Sequence, residues 1–342
     1  MTNRTSWLLA LGLAGGCGDS EDLPPLTDAT SLLCPAPGDL PFRLDSNGFV
    51  RDNNAALADM RPRDKGEAAD TLGNPGGATA STYLGEGTPA GGAIAYRGLK
   101  ARTAVTNGLF STPLPGEHVS LWSYDGAWTM LDRGDTDDNG LYELTPGVTV
   151  ENGQPIYALL EADGSCAEHF DYLFPAGTKV VISDIDGTLT SADSELFEQT
   201  ADPTYVPKTK TAAEELTRAW ADKGYPIIYL TARPHVYRGD TRGWLRDLDF
   251  AAGPLITSND GDEASAYKTL WLDRMITTFG WVPVAAYGNA STDISAYANV
   301  AIPKDLTFII GELAGTEGTV AIPNDDFTDH IATFVAAQPA SP

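Results

Sequence analysis

The sequence predicts an α/β fold built on a parallel sheet and preceded by a small all-β sandwich. The sheet is predicted because β-branched apolar runs recur in the second half of the chain, and each ends in polar residues. The sandwich is predicted over residues 93–175, where short alternating runs are separated by turns such as Asp125-Gly126 and Asn139-Gly140. A chain of 342 residues has room for about two domains.

The first apolar run of the sheet, Val180 to Ser183, is followed at once by Asp184 and Asp186. Because ligands of open α/β sheets bind at the carboxyl ends of strands, both carboxylates are candidates for catalysis. Asp184 is placed to attack phosphorus, and Asp186 to act as general acid and then base. Two adjacent carboxylates also favour a cation such as Mg²⁺ between them. The alternative is an ordinary strand that ends in an Asp-Gly turn.

Four residues are predicted to bind a phosphate group. The hydroxyl of Thr188, just after the two carboxylates, can hydrogen-bond a phosphate oxygen. A second strand, 226–230, ends in Thr231 and Arg233, a hydroxyl donor and a planar guanidinium. Lys268 begins an amphipathic stretch and can neutralise charge on the phosphoryl group. Taken singly, Thr231 is also a good strand former and Lys268 is also typical of a surface lysine.

A metal site is predicted from the third strand, 282–287, which leads into Asn289 and Asp293. Their oxygens, with those of Asp184 and Asp186, are the ligands that a hard cation such as Mg²⁺ prefers. Asn and Asp after a strand also make caps and turns, so this alternative stays open. The histidines and cysteines do not have the spacing of a zinc site.

This order of residues resembles the haloacid dehalogenase superfamily of aspartate-nucleophile phosphatases, and within it the lipin-type phosphatidate phosphatase domain. The resemblance covers residues from about 178 to about 303 and includes Asp193, Thr241–Leu245 and Gly253–Leu255. Two departures, at Pro234–Val236 and Ala290, affect headgroup contacts more than the chemistry. Lipins also carry an immunoglobulin-like piece, which is consistent with the predicted sandwich.

The resemblance implies a Rossmannoid domain over residues 176–340 and assigns roles to its side chains. Asp184 would be the nucleophile and Asp186 the acid/base, while Thr231 and Lys268 would bind phosphate. Mg²⁺ would be held by Asp184, the backbone carbonyl of Asp186 and Asn289, with Asp293 nearby. Members of the superfamily often carry a cap domain, but the interval 191–208 is short here. A capless, open site is therefore expected, which favours a bulky or surface-bound substrate.

The first residues predict export and a lipid anchor. Residues 1–16 have a charged start, a short apolar run and small residues before Cys17, the pattern of a lipoprotein signal peptide. A lipidated Cys17 would hold the protein at a membrane of the cell envelope or periplasm; an ordinary signal peptide is the alternative. Residues 17–92 are predicted to be a tether and an irregular segment. Whether Cys34 and Cys166 pair is left open.

The net charge of −25 excludes nucleic acid as a partner, because a phosphate backbone requires a basic surface. It also disfavours adsorption to anionic lipid, a difficulty that the lipid anchor would overcome. The partner expected is a phospholipid substrate at a membrane, and no protein partner is predicted. At the other end of the chain, residues 326–337 predict a closing helix capped by Asp325.

Three functions are compatible with these residues. The preferred one is a Mg²⁺-dependent phosphatase that acts on phosphatidate or a related lipid phosphate. The second has the same chemistry on a non-lipid phosphomonoester, and a deep polar pocket would favour it. The third is a module that binds phosphatidate without hydrolysing it, which the presence of both Asp184 and Asp186 disfavours.

Overall fold

The structure is a computed structural model and describes residues 64–81 except 69 and 76, 95–101, 111–113, 118–143 except 136 and 138–140, 153–160, 166–201, 205–234, 237–258 and 263–341. The predicted signal peptide, the predicted lipidation site Cys17 and Cys34 lie outside these residues. The side chain of Cys166 also lies outside what is described, so its pairing with Cys34 stays a prediction.

A β-rich part comes first, as the alternating runs predict. Its described strands are β1 (Asp64–Ala68), β2 (Thr71–Gly73), β3 (Thr79–Ser81), β4 (Ala95–Ala101), β5 (Ser111–Pro113), β6 (His118–Tyr124), β7 (Trp128–Asp135), β8 (Leu141–Glu143), β9 (Pro155–Leu160) and β10 (Cys166–Leu173). In one sheet β4 pairs antiparallel with β1, β5 and β8. The other has the order β3-β2-β10-β9-β6-β7, with β2 parallel to β10 and the other pairs antiparallel. An immunoglobulin-like arrangement stays a prediction.

Residues 64–81 contain three of these strands, so the expectation of an irregular segment there is wrong. Leu72 and Ala80 are buried in the same hydrophobic cluster as Val180 and Ile182 of the second half of the chain. Pairing and packing with residues far along the chain stabilise these strands. They can therefore form without a local alternation of apolar and polar residues.

A six-stranded parallel sheet follows, which confirms the predicted α/β fold at that level. Its strands are β11 (Lys179–Ser183), β12 (Ile227–Pro234), β13 (Leu255–Ser258), β14 (Val282–Gly288), β15 (Thr307–Ile310) and β16 (Val320–Ile322), and they pair in the order β13-β12-β11-β14-β15-β16. The two strands that carry the predicted phosphate and metal ligands, β12 and β14, therefore flank β11. The more specific haloacid dehalogenase fold remains a prediction.

Helices accompany this sheet. They are α1 (Glu195–Ala201), α2 (Ala213–Ala221), α3 (Arg238–Asp247), α4 (Ala264–Asp273), α5 (Ser291–Asn299) and α6 (Thr328–His330). A π-helical turn, Arg274–Thr278, extends α4, and another, Ile331–Val335, extends α6. Among the described residues, no helix is both long enough and apolar enough to cross a bilayer.

Two hydrophobic clusters pack against the parallel sheet. Val180 and Ile182 of β11 share one cluster with Trp271 of α4. Val181, between them, belongs to the other cluster, with Trp220 of α2. Because successive side chains of a strand point to opposite faces, β11 is buried on both sides, which explains its continuous apolar run.

The closing helix begins two residues later than predicted, and Asp325 does not cap it. It begins at Thr328, and the backbone N–H of that residue donates to Asp326 Oδ1 over 2.8 Å. Asp325, the predicted cap, lies 2.9 Å from Lys210 Nζ instead. The local sequence did not reveal this long-range ion pair, which engages the carboxylate that was expected to cap the helix.

Candidate active site

The candidate active site lies where β11, β12 and β14 end. Asp184 follows β11, and its backbone N–H donates to the carbonyl oxygen of Tyr287 in β14 over 3.0 Å. Thr231 lies within β12, and Asn289 directly follows β14. The strand-end residues meet as predicted, because neighbouring parallel strands end at the same edge of the sheet.

Lys268 lies between two carboxylates. Its Nζ is 2.6 Å from Asp184 Oδ1 and 2.6 Å from Asp293 Oδ1. All three side chains are buried, with at most 6% of their surface exposed. The carboxylates replace the water that the ammonium loses on burial. Glu263 caps the helix that carries Lys268, since its carboxylate accepts two backbone N–H groups of the first turn of α4.

Burial is the largest influence on the ionisation of this cluster. It raises the pKa of Asp184 above its usual range, and the neighbouring Asp293 and Asp186 add to the rise while Lys268 opposes it. Burial by itself lowers the pKa of Lys268, but the charges of Asp184 and Asp293 outweigh it and raise that pKa. The lysine therefore holds its proton, and a charged ammonium at this distance favours the carboxylate form that a nucleophile requires.

Thr188 links Asp184 to Asn289. Its hydroxyl lies 3.0 Å from Asp184 Oδ2 and 3.2 Å from Asn289 Oδ1, so these two oxygens converge on one point. Asn289 Nδ2 donates to Asp193 Oδ1 over 2.9 Å, which orients the amide so that its oxygen faces Thr188. Thr188, predicted to bind phosphate, thus contacts the predicted nucleophile.

Gly187 makes this convergence possible. Its φ of 69° lies in the left-handed region that favours glycine. A Cβ added at this position would lie 2.1 Å from Asn289 Nδ2 and 2.2 Å from Asp193 Oδ1. No side chain can therefore occupy this position unless the predicted metal ligand Asn289 moves away.

The donor set fits Mg²⁺ in its chemistry. A carboxylate oxygen of Asp184 and the amide oxygen of Asn289 are hard ligands brought to one place, and the carboxylate of Asp193 lies beside them. Within the described part of the chain, His, Cys, Asp and Glu side chains form no group of three that could hold a metal. A metal site here would therefore need the amide and a backbone carbonyl, as the predicted set from Asp184, Asp186 and Asn289 supposes.

Asp186 pairs with a second cation, Arg233. Arg233 Nε lies 3.0 Å from both carboxylate oxygens of Asp186, and Arg233 Nη2 lies 2.8 Å from Oδ1. The Thr231 hydroxyl is 3.2 Å from Asp186 Oδ2. Thr231 and Arg233 are predicted phosphate ligands, yet both contact the predicted acid/base. The sequence located these groups at the site but did not show which group each would contact.

The predicted metal ligand Asp293 has other contacts. Its Oδ1 binds Lys268, and its Oδ2 accepts the backbone N–H groups of Asn289 and Ala290, each over 3.0 Å. The side chain is fully buried. These contacts make Asp293 a support for Lys268 and for the start of α5, and they give no support to its role as a metal ligand.

Two contributors were missed by reasoning from the sequence. Asp193 orients Asn289, and Thr241 Oγ1 accepts a hydrogen bond from Arg233 Nη1 over 3.0 Å. Both residues occur in the segments that carry the family resemblance, so their presence was visible. Their roles depend on contacts made across the fold, which spacing along the chain does not disclose.

A cleft of about 1030 Å³ opens beside Gly187 and Asn289. It lies over the ends of β14, β15 and β16, and large apolar side chains are few in its lining. Among the described lining residues one is basic, Lys210, and three are acidic: Asp193, Glu312 and Asp325. Lys210 already pairs with Asp325, so the unbalanced charge facing the cleft is negative.

Comparison with known proteins finds a matching domain family and several relatives. The family model for the LNS2 domain of PITM 1-3 matches residues 181–311, which include the two carboxylates Asp184 and Asp186 and the side chains described above as contacting them. This part of the chain is similar to an LNS2 domain. The match supports the lipin-type resemblance in the form of a similarity to an LNS2 domain.

Two relatives show the extent of the similarity. "Protein retinal degeneration B" of Drosophila melanogaster is 29% identical over 223 residues, 64% of this chain and 17% of that protein. Human "Membrane-associated phosphatidylinositol transfer protein 3" is 26% identical over 239 residues, 67% of this chain and 24% of that protein. The chain thus spans between a sixth and a quarter of the length of these relatives. A chain of the "Pnkp1/Rnl/Hen1 RNA repair complex" is 19% identical, covering 43% of each chain at a TM-score of 0.32, too low for any conclusion.

Proposed function

We propose that this chain is a Mg²⁺-dependent phosphatase that hydrolyses phosphatidate or a related lipid phosphate through an aspartyl-phosphate. The observation that carries the proposal is that two neighbouring carboxylates each have a separate cation, Lys268 for Asp184 and Arg233 for Asp186. A site that only binds a phosphate dianion has no use for two carboxylates beside it, since they repel the anion. They are what nucleophilic and acid–base catalysis require.

The first chemical step would transfer the phosphoryl group to the protein. A carboxylate oxygen of Asp184 forms a bond to phosphorus as the bond from phosphorus to the alcohol oxygen breaks. Asp186, in its acid form, gives its proton to that departing oxygen, so the alcohol leaves neutral. The Lys268 ammonium, 2.6 Å from Asp184, compensates the charge that gathers at the nucleophile and the phosphoryl oxygens.

The second step would restore the protein. Asp186, now a carboxylate, accepts a proton from a water molecule whose oxygen attacks phosphorus. The bond from phosphorus to Asp184 breaks, and inorganic phosphate leaves. Asp184, Asn289 and the backbone carbonyl of Asp186 would hold Mg²⁺, whose charge offsets that of the phosphoryl oxygens.

The lipid substrate is supported by the comparisons and by the N-terminal sequence. The LNS2 match and the membrane-associated relatives favour a substrate presented at a membrane. Lipidation of Cys17 after export would keep the acidic protein at the surface of a cell-envelope membrane. These features support a substrate that lies in a membrane, while the carboxylates and their cations support the phosphatase reaction.

A non-lipid phosphomonoester is the second candidate substrate, and the cleft favours it. Half of its described lining residues are polar, Asp193, Lys210 and Glu312 among them. A polar alcohol would find hydrogen-bonding partners there that an acyl chain would not use.

The deciding experiment measures Mg²⁺-dependent phosphate release from phosphatidate in mixed micelles and from a soluble phosphomonoester, with Asp184→Asn as control. Release from phosphatidate, faster than from the soluble ester and lost in the variant, is the expected result. Release from the soluble ester alone would keep the aspartate chemistry and reject the lipid substrate. If neither ester is hydrolysed and phosphatidate vesicles still bind the protein, the chain is a binding module and the proposal fails.

A further inference from the structure

The position of the Asp186 carboxylate is fixed by Arg233. The guanidinium meets it with Nε and Nη2, an arrangement that fixes the plane of the carboxylate as well as its place. The Arg233 side chain is fully buried, whereas 23% of the Asp186 side chain is exposed. One side of the Asp186 carboxylate is therefore exposed to solvent, while the other side contacts the buried guanidinium of Arg233.

Arg233 is held in turn by α3. Its Nη1, the nitrogen directed away from Asp186, donates to Thr241 Oγ1 over 3.0 Å. Thr241 is fully buried, and the guanidinium also lies 5.8 Å from the ring centre of Trp244. Since all three guanidinium nitrogens are engaged, a rotation that released Thr241 would also turn the edge that meets Asp186.

The helix that carries Thr241 is anchored to the β-rich part of the chain. Arg242 Nη2 lies 2.5 Å from Asp70 Oδ2, and the Asp70 side chain is completely buried. Asp70 also accepts the backbone N–H groups of Phe170 and Leu255, each over 3.1 Å. At the end of α3, Arg246 pairs with Glu168 over 3.1 Å. Breaking a buried pair leaves an uncompensated charge, so this anchor is costly to displace.

We propose that Thr241, and the Asp70–Arg242 pair that fixes its helix, are positioning residues for the acid/base Asp186. The contacts run from Asp70 through Arg242 and α3 to Thr241, then through Arg233 to the carboxylate. The inference rests on the proposed function, since it requires Asp186 to protonate the departing oxygen. Under this proposal the β-rich part of the chain, through Asp70, helps to position the acid/base of the parallel-sheet domain.

Misplacing a general acid has a recognisable kinetic effect. A departing alkoxide or phenoxide of high basicity needs the proton as its bond breaks, whereas a weakly basic nitrophenoxide leaves almost unaided. The ratio kcat/KM reports only the steps up to the first irreversible one, here the departure of the alcohol. A positioning defect at Asp186 should therefore lower kcat/KM for phenyl phosphate much more than for p-nitrophenyl phosphate.

The test compares Thr241→Val, which keeps the shape and removes the hydroxyl, with Thr241→Ser, which keeps the hydroxyl. Thr241→Val should lose about tenfold or more in kcat/KM for phenyl phosphate and less than about threefold for p-nitrophenyl phosphate. Thr241→Ser should stay within about twofold of wild type for both esters. Thr307→Val is the matched control, since Thr307 is a fully buried threonine of β15 whose hydroxyl bonds the Pro303 carbonyl.

Equal losses for the two esters in Thr241→Val, or no loss, would overturn the inference while leaving the proposed function in place. Wild-type protein that hydrolyses neither ester nor phosphatidate would overturn the proposed function and this inference with it.

Asp70→Asn tests the part played by the anchor and is assayed at least about 10 °C below its own melting midpoint. The same leaving-group-selective loss is expected, and an unchanged ratio between the esters would restrict the anchor to a structural role. If Asp70→Asn does not fold, Glu168→Gln takes its place, because Glu168 pairs with the same helix nearer the surface. A selective loss in that variant supports the anchor, and an unchanged ester ratio rejects it.

Discussion

The surroundings of Asp184 and Asp186 differ although one residue separates them. Asp184 faces β14 and α4, is buried, and meets a lysine that it shares with Asp293. Asp186 faces β12, is partly exposed, and contacts the planar guanidinium of Arg233. Lysine acts as a point charge and stabilises a charged nucleophile, whereas arginine fixes the orientation of its partner. Helix α4 thus supplies the cation of Asp184 and strand β12 that of Asp186, which suits the two carboxylates to different roles.

The largest effect is expected from Asp184→Asn. Turnover should fall by a factor on the order of 10⁴ or more, because an amide cannot form the aspartyl-phosphate. The buried group of Asp184, Asp293 and Lys268 carries two negative charges and one positive, so removing one negative charge balances it. The melting temperature, followed by circular dichroism, should therefore not fall. A large fall would show that Asp184 is a structural residue.

Lys268→Met should affect both turnover and stability. Loss of the ammonium should slow phosphate release by a factor on the order of 10² to 10³. It should also lower the free energy of unfolding by about 3 kcal/mol or more, because Asp184 and Asp293 stay buried without their partner. Chemical denaturation measures the second effect. Lys223→Met is the control, since its Nζ contacts carbonyl oxygens near the C-terminus, away from the site. Unchanged stability in Lys268→Met would contradict the buried pairing.

Arg233→Lys is a sharper test of the difference between the two cations. Lysine keeps the charge but cannot match the two carboxylate oxygens of Asp186, so kcat should fall by about 10- to 100-fold. Arg218→Lys, a change at a partly exposed arginine that pairs with Asp249, should leave kcat unchanged. Steady-state kinetics on one ester measures both variants. Full activity of Arg233→Lys would mean that charge alone is sufficient at Asp186.

A smaller effect, on stability alone, is expected from His330. Burial lowers its pKa to about 4 from an ordinary value of 6.5. Trp220 Nε1 donates to the Tyr287 hydroxyl, and that hydroxyl lies 2.8 Å from His330 Nε2. The lowered pKa keeps the ring neutral at pH 7. The unfolded chain binds the proton more readily than the folded one. Stability is therefore complete above about pH 6.5 and falls as the pH drops toward 4, by at most about 3 kcal/mol.

Denaturation of His330→Phe between pH 7 and 4 measures this contribution, because a phenylalanine cannot take up the proton. The variant should lose less stability over that range than wild type does. Its ratio of kcat/KM for phenyl and p-nitrophenyl phosphate should match that of wild type at pH 7, since His330 contacts neither Asp184 nor Asp186. An altered ratio would mean that the closing helix also influences the carboxylates.

The sequence was informative where the physics is local. The apolar runs of β11, β12 and β14 identify buried strands, and the polar residues that follow must lie at one edge because parallel strands end together. Asp184, Asp186, Thr231, Lys268 and Asn289 could therefore be gathered into one predicted site. The alternating runs before them identify a β-rich part in the same way.

The tertiary structure decided which groups meet. Arg233 and Thr231 contact Asp186 rather than an open phosphate position, and Asp293 contacts Lys268. Spacing along the chain does not distinguish these partners from others nearby. Side-chain direction and packing decide between them. Strands β1 and β2 have weak local patterns and depend on pairing with the distant strands β4 and β10. The anchor of α3 joins Asp70 and Arg242 across 172 positions, a distance over which no local pattern specifies a contact. Sequence determined the chemistry available at the sheet edge, and tertiary packing determined the partner of each group.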